Sequence, residues 1–450
     1  MRLINTRRTF LKSMGLGASC AATFSSGILP LVANAAATGS DYKALVCINL
    51  NGGNDAFNTL VPSSDALYNQ YSKIRQELAL PKDKLNLLKN SSGQSAGFGL
   101  HPQLNGLAEL YNTGKLAAVA NLGNLIEPVE KSRYKQNNTQ LPANLFAHND
   151  QAVFAQTLNN GASDTGWAGR IAEALGEINI NQQLAMNITL SGANPWQRGQ
   201  EHLPFGLLKS GIANIDALAQ SDAAARARVY LKLLANKRSN PLQQFYTDVV
   251  SNSLVMSKYV GDILNATRIP APLNTAEGFS QNFSIIAKMI AAHQDFNIQR
   301  QIFFVELGSF DTHANQLKGQ EGLLSELNKA LTDFYSTLTA MGYADKVVSF
   351  TLSEFGRTLS RNGTDGTDHG WGSHHFVMGD AVKGQQIIGT LPSLELGSDD
   401  DIGEGRIIPT ISFEQYAATL SKWFGVSDED LVNIFPNLKN FNNKNLGFLS

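Results

Sequence analysis

Short unbroken apolar runs alternate with stretches of helical period along this chain. Lys43 to Leu50 is a continuous apolar run that stops at Asn51-Gly52-Gly53-Asn54-Asp55, the pattern of a buried strand feeding a loop. Lys115 to Leu122, Leu184 to Leu190, Gln301 to Gly308, Lys346 to Leu352 and His375 to Met378 read as further buried strands. Between them, residues 65 to 79 and His101 to Tyr111 carry helical spacing, the latter with Leu104, Leu107 and Leu110 on one face and Gly114 as a stop. Residues 203 to 300 read as mostly helical. Leu323 to Met341 is the clearest helix, with Leu324, Leu327, Leu331, Phe334 and Leu338 on one stripe. The tail reads as a loop from Asp399, a helix over Ser412 to Phe424, and an Asn-rich end. The Gly/Asn-rich segments 90 to 99 and 361 to 373 read as long irregular loops. Strands alternating with helices predict an α/β fold: a three-layer sandwich around a central, mostly parallel mixed sheet.

The first 37 residues have a different character. Thr6-Arg7-Arg8-Thr9-Phe10-Leu11-Lys12 precedes a Gly/Ala-rich apolar run from Met14 to Val32 and the small-residue site Ala33-Asn34-Ala35. This is the pattern of a twin-arginine (Tat) export signal, with cleavage expected near Ala35 to Ala37 and the Tat translocase as the expected partner. The expected mature protein, 38–450, is one α/β domain with a largely helical insertion at about 203–300. It has no run of 18 or more apolar residues, so no transmembrane segment is expected after the leader. Periplasmic or secreted location follows. Of the two cysteines, Cys20 lies in the leader and Cys47 inside the first strand, which leaves no pair for an intramolecular disulfide in the mature chain.

Composition narrows the function classes. Charged residues are 16% of the 450, which excludes coiled coils and charge-rich disorder. With 36 bases against 38 acids, binding of nucleic acid through bulk positive charge is excluded. There is no Cys motif and no Gly-x-Gly-x-x-Gly after the first strand, so a redox protein carrying a nucleotide cofactor has no support.

The informative chemistry sits at strand ends, where open α/β sheets bind ligands. The strand at 301 to 308 runs into Phe310-Asp311-Thr312-His313, and that at 346 to 352 into Ser353-Glu354-Phe355-Gly356-Arg357. A Gly-rich loop then carries Thr367-Asp368-His369-Gly370-Trp371-Gly372-Ser373-His374-His375. Four of the eight histidines lie in these segments. Imidazoles and carboxylates converging from several strand ends suit a divalent cation, Zn²⁺ or Mn²⁺. Each residue also has a purely structural reading: Asp311 as a cap, His313 as a surface residue, Glu354 to Arg357 as a turn with a salt bridge, Asp368-His369 as a turn, and one of His374 and His375 as a core residue. His148 and Asp150 form a further polar knot ahead of a helical run.

At these residues the chain resembles an exported bacterial family catalogued as domain of unknown function 1501. The resemblance rests on the Tat leader, Asn51-Gly-Gly-Asn-Asp55, Asn58-Thr-Leu-Val-Pro62, Leu100-His-Pro102, Phe310-Asp-Thr-His313, Ser353-Glu-Phe-Gly-Arg-Thr358 and Thr367-Asp-His-Gly-Trp371. That family resembles the alkaline-phosphatase and sulfatase superfamily, which implies metals at the carboxyl edge of a mixed sheet with helices on both faces. By this resemblance Asp311 matches the Asp that opens the first metal site, Glu354 the carboxylate on the next strand, His369 the later His, and Asp55 the acid after the first strand. The departures are Asp311-x-His313 where the superfamily has Asp-x-x-x-His, Glu354-Phe355 where it has Asp-His, and no evident nucleophilic hydroxyl.

The expectation is therefore a metal-dependent hydrolase of phosphate or sulfate esters. Asp55, Asp311, His313, Glu354 and His369 are the candidate metal ligands. Glu354, Arg357 and Asp368 are the candidate catalytic residues, with Glu354 as ligand or general base, Arg357 on the anionic group and Asp368 orienting an imidazole. Asn51, Gly52, Gly53, Arg357 and His374 are the candidate contacts to a small anionic ester. The alternative is a cell-envelope binding or structural protein that keeps the scaffold without the chemistry.

Overall fold

The computed structural model describes residues 41–136, 139–159, 164–212 and 223–450. The expected leader, 1–37, and part of the expected helical insertion lie outside the described residues.

Among the described residues twelve strands are formed: β1 (Lys43–Leu50), β2 (Leu60–Pro62), β3 (Asn86–Lys89), β4 (Ser95–Leu100), β5 (Leu116–Gly123), β6 (Asn187–Thr189), β7 (Phe205–Gly206), β8 (Arg300–Leu307), β9 (Val347–Leu352), β10 (Ser373–Met378), β11 (Ile387–Ile388) and β12 (Ile411–Ser412). Nine of them make one sheet in the order β11-β5-β10-β9-β1-β8-β6-β7, with β12 also on β5. β1 lies at its centre, parallel to β8 and to β9. Of these nine, β10 alone runs antiparallel, against β5 and β9. The sheet is thus mostly parallel and mixed.

Strand β1 shows why it must sit between two layers. Ala44, Val46, Ile48 and Leu50 point into one core with the helices Asn105–Asn112, Ser280–Ala291 and Gln316–Met341. Leu45 and Cys47 point into the other, with the helices Trp167–Ala174 and Phe413–Phe424. The unbroken apolar run from Ala44 to Ile48 is what a strand covered on both faces requires. The helix Phe413–Phe424 is fixed by a full capping box, Ser412 with Gln415, and closed by Gly425 in the left-handed region.

Three segments differ from the expectation. Phe205–Gly206, inside the span expected as a largely helical insertion, forms β7 of the main sheet. The segment 90 to 99 is not all loop: β4 begins at Ser95 and forms a second sheet, β2-β4-β3. Gly97 and Gly99 interrupt the alternation that would announce it. The helix expected from Leu323 begins at Gln316, because its first turns bury polar side chains. Gln316 bonds Asp55, and Gln320 donates to the Asp55 carbonyl at 2.8 Å. Buried glutamines are invisible to a hydrophobic pattern. No helix among the described residues is long and apolar enough to cross a membrane.

Candidate metal centre

The carboxyl ends of β1, β8 and β9 lie side by side, so the loops that leave them meet. The loop after β1 is drawn onto the loop after β8 by Phe310 N–H donating to the Asn51 carbonyl at 3.1 Å. The contact is so close that a Cβ on Gly52, at φ +118°, would stand 2.3 Å from the Asp311 nitrogen. Only glycine fits there. The loop after β9 pairs with the 361–373 loop, through Thr358 N–H to the Asp368 carbonyl at 2.9 Å and Gly370 N–H to the Gly356 carbonyl at 2.8 Å. This bridge sets His369 opposite Arg357. Gly366 lets the same loop lie against His313, whose carbonyl carbon would be 2.3 Å from an added Cβ.

Three imidazoles and one carboxylate oxygen face one another at the rim. His148 Nε2 lies 3.0 Å from His369 Nε2, and His313 Nε2 lies 2.9 Å from it. Asp311 Oδ1 is 3.5 Å from His148 Nε2, 3.1 Å from His313 Nε2 and 3.3 Å from His369 Nε2. The far nitrogen of each ring is held by an acceptor. His148 Nδ1 is 2.8 Å from Glu354 Oε1, His313 Nδ1 is 3.0 Å from Asp368 Oδ1, and His369 Nδ1 is 2.7 Å from the Phe146 carbonyl. A carboxylate or carbonyl can only accept, so these partners favour the proton on Nδ1, the tautomer in which a neutral ring presents its Nε2 lone pair inward. In that tautomer the Nε2 atoms, 2.9 to 3.0 Å apart, converge on a point where a cation would sit. That is the donor set of a divalent metal, with outer carboxylates fixing the imidazoles as metal sites require. His148, Asp311 and His369 offer ligand atoms all within 4.8 Å of one another, which suits one ion. His313 adjoins this triple, its Nε2 2.9 Å from that of His369.

The electrostatics follow the same contacts. The hydrogen bond to Glu354 raises the His148 pKa against the pull of burial. Burial lowers that of His369. Burial pushes Asp311 upward, but the Arg357 hydrogen bond and charge and the neighbouring His313 and His148 hold its carboxyl below the usual range. Arg406 braces the site from outside: its guanidinium stacks 4.5 Å from the Phe146 ring and donates to the His369 carbonyl at 3.2 Å.

The structure brings together six of the residues singled out in the sequence: Asp311, His313, Glu354, Arg357, Asp368 and His369. It revises the position of several. Glu354 acts one step back from the inner atoms, since Oε1 takes both His148 Nδ1–H and the Gly52 N–H at 2.9 Å. Gly52 N–H is therefore not turned to a ligand, Gly53 packs on the Phe355 ring, and Asn51 Nδ2 donates to Glu306 Oε1 at 3.1 Å. Arg357 is fully buried and bonds Asp311 Oδ1 at 2.7 Å and the Thr367 carbonyl at 2.7 Å, so it anchors Asp311 rather than an anionic group. Asp55 is not a ligand. It is fully buried, ion-paired to Arg75 and bonded to Gln316 and to the Phe57 N–H. His374 is not at the site either: it is buried against Phe57, and its Nδ1 accepts the Asn121 N–H at 3.0 Å.

His148 is the residue that sequence reasoning leaves unassigned. It sits in the first turn of the helix His148–Thr157, more than 160 residues from the other donors, and its one signal is a lone His in a polar knot before a helix. Phe146 and Arg406 give no signal at all.

The fold and the rim define an α/β protein that carries a candidate metal centre at the carboxyl edge of its sheet. Matching residues 42–431, the chain belongs to the family described as "Protein of unknown function (DUF1501)". No curated protein matches it. Among solved structures it is similar to the lipoteichoic acid synthase LtaP from Listeria monocytogenes, at 9% identity over 89% of this chain and 77% of that one, with TM-score 0.36. It is also similar to the PsFucS1 sulfatase from Pseudoalteromonas sp. (9%, 87% and 70%, 0.35) and the phosphonate monoester hydrolase SpPMH from Silicibacter pomeroyi (8%, 86% and 74%, 0.34).

Proposed function

We propose that this protein is a metal-dependent hydrolase of phosphate or sulfate esters, exported through the Tat route to the periplasm or beyond. The observation that carries the metal is the inward-facing set of His148 Nε2, His369 Nε2 and Asp311 Oδ1, each ring held at its outer nitrogen by an acceptor. The ester class is supported by the resemblance of Asp311, Glu354 and His369 to the motif positions of the alkaline-phosphatase and sulfatase superfamily. His148, Asp311 and His369 would hold a Zn²⁺ or Mn²⁺ ion. When bound, it would polarise the ester oxygen and acidify a water.

The chain's own groups do the remaining work. Glu354 keeps the His148 proton at Nδ1, and the Phe146 carbonyl keeps that of His369. Arg357 fixes Asp311 Oδ1 toward the imidazoles. His313, 43% exposed and held by Asp368 at Nδ1, turns its Nε2 toward the same point, where it can take a proton from an attacking water. Three of the hydroxyls on the loops around the rim are engaged: Ser353 Oγ donates to the Leu50 carbonyl at 2.8 Å, Thr358 Oγ1 to the Ser360 carbonyl at 2.9 Å, and Thr367 Oγ1 to Gln316.

The test is hydrolysis of p-nitrophenyl phosphate and p-nitrophenyl sulfate by protein loaded with Zn²⁺ or Mn²⁺, beside His148→Ala and His313→Ala. Turnover that depends on metal and falls in both variants supports the reading. Metal binding with no turnover of either ester class would favour a binding protein with a retained cation site, which the engagement of Arg357 with Asp311 also suits.

A further inference from the structure

The helices Ala223–Ala235 and Pro241–Ala266 form an arm whose outer surface is unlike the rest of the described molecule. The second half of Pro241–Ala266 is anchored in the core through Val260 and Leu264. Its first half is not. Leu242, Phe245, Tyr246 and Val249 are 65%, 64%, 68% and 47% exposed. Their spacing of i, i+3, i+4 and i+7 places them on one helical stripe. On the neighbouring helix, Val229 and Leu233 are 59% and 48% exposed. Elsewhere among the described residues the exposed large apolar side chains are scattered singly, which is ordinary for a protein surface. A continuous apolar stripe is not.

Charge separates the arm from the body as well. Residues 223–266 hold six bases, Arg226, Arg228, Lys232, Lys237, Arg238 and Lys258, against Asp248 and Asp262, a net charge of +4. The rest of residues 41–450 holds 26 bases against 36 acids, a net charge of −10. A basic amphipathic helix pair with Phe and Tyr among its exposed apolar residues has the make-up of a segment that lies in a bilayer interface. Anionic headgroups attract the arm and repel the acidic body, so the charge pattern sets the orientation as well as the affinity. A two-fold dimer through the same stripe would instead bring two like-charged arms together, which costs stability.

We infer that this arm docks the protein on an anionic lipid surface, with the stripe Leu242, Phe245, Tyr246 and Val249 inserted among the headgroups. The docking is peripheral and reversible, and it is separate from the chemistry at the rim.

Co-sedimentation with vesicles tests this. The purified chain, its N terminus established by mass spectrometry, is mixed with phosphatidylcholine vesicles or with vesicles holding one third phosphatidylglycerol. Phe245→Glu/Tyr246→Glu and Lys232→Glu/Lys237→Glu variants with the same N terminus are measured beside it, so the leader cannot account for a difference. The inference expects binding to the anionic vesicles that weakens with salt and falls roughly tenfold or more in each double variant, with unchanged circular dichroism. No binding, equal binding to neutral vesicles, or binding untouched by both variants would overturn it. So would a sedimentation-velocity dimer that Phe245→Glu/Tyr246→Glu dissociates, which would make the stripe an interface between copies.

Discussion

Six of the eight histidines of this protein form two groups with different ring partners. At the rim, His148, His313 and His369 turn Nε2 inward and are backed at Nδ1 by Glu354, Asp368 and a carbonyl. In the interior, His374 and His375 sit side by side on β10 in full burial, and His101 is buried beside the small sheet. Burial pushes these three pKa values down to about 4, about 3 and about 4 in the order His374, His375, His101. Among the described residues no carboxylate is hydrogen-bonded to them. His374 Nδ1 accepts a backbone N–H, as does His101 Nδ1 from Gln103 at 3.1 Å. A backing acceptor frees a nitrogen lone pair for a ligand, whereas an accepted N–H ties the ring into the fold. The buried His293 also has an acceptor at Nδ1, the Ile298 carbonyl at 3.0 Å, so the rim histidines are set apart by a backing acceptor together with the convergence of their Nε2 atoms on Asp311.

The sharpest way to break this comparison is to remove one histidine from each group. His148→Ala should lose the metal, and with it the proposed ester hydrolysis, while its melting temperature without metal stays close to that of the wild type. His374→Ala should do the reverse, costing about 2–4 kcal/mol of stability in denaturant unfolding while the folded fraction keeps its metal. If His374→Ala lost metal stoichiometrically and His148→Ala did not, the division would be wrong.

Acid should separate the populations by a similar amount. The buried three bind protons more weakly folded than unfolded, so stability should be lost as pH falls from about 6.5 toward 4. A lowering from 6.5 to about 4 corresponds to roughly 3 kcal/mol per group as an upper figure. Glu414 has the opposite sign. Burial raises its pKa to about 7, so it binds a proton more tightly when folded, and its contribution declines as pH rises from about 4.5 to 7. Melting temperatures from pH 4.5 to 7 should therefore rise in the wild type and rise more steeply in Glu414→Gln. A flat profile would contradict the assignment of three neutral buried imidazoles.

Smaller effects should come from the backing groups. Glu354→Gln and Asp368→Asn keep shape but remove charge, and metal affinity should fall about 10–100-fold in isothermal titration for Glu354→Gln and less for the more exposed Asp368→Asn. Arg406→Ala removes one stacking contact and one hydrogen bond at the edge of His369. Its expected cost is about 1 kcal/mol or less in metal binding, measured the same way, with little change in unfolding.

The main sheet is legible in the sequence because its central strands are apolar at nearly every position and end in glycines or ionisable residues, as β1, β8 and β9 show. The small sheet is not, since Gly97 and Gly99 erase the alternation of β4. The rim is half legible. Asp311, His313, Glu354, Asp368 and His369 stand within a few residues of strand ends or in one loop, so their proximity can be read along the chain. His148 reaches the same point from a separate helix, and only the tertiary fold reveals it. His374 follows His369 in the same Gly-rich run, yet its burial depends on β5 and Phe57, which linear spacing does not show. Asp55 follows a buried strand as a ligand would, but Arg75, twenty positions on, neutralises it.

The most direct test is the metal content of protein purified without a His tag, by elemental analysis, beside an Asp311→Ala/His369→Ala variant. The account predicts close to one Zn or Mn per chain, taken up on incubation if lost in purification, and absent from the double variant. A wild type that stays empty in Zn²⁺ and Mn²⁺, or a variant that binds as much metal as the wild type, would contradict it.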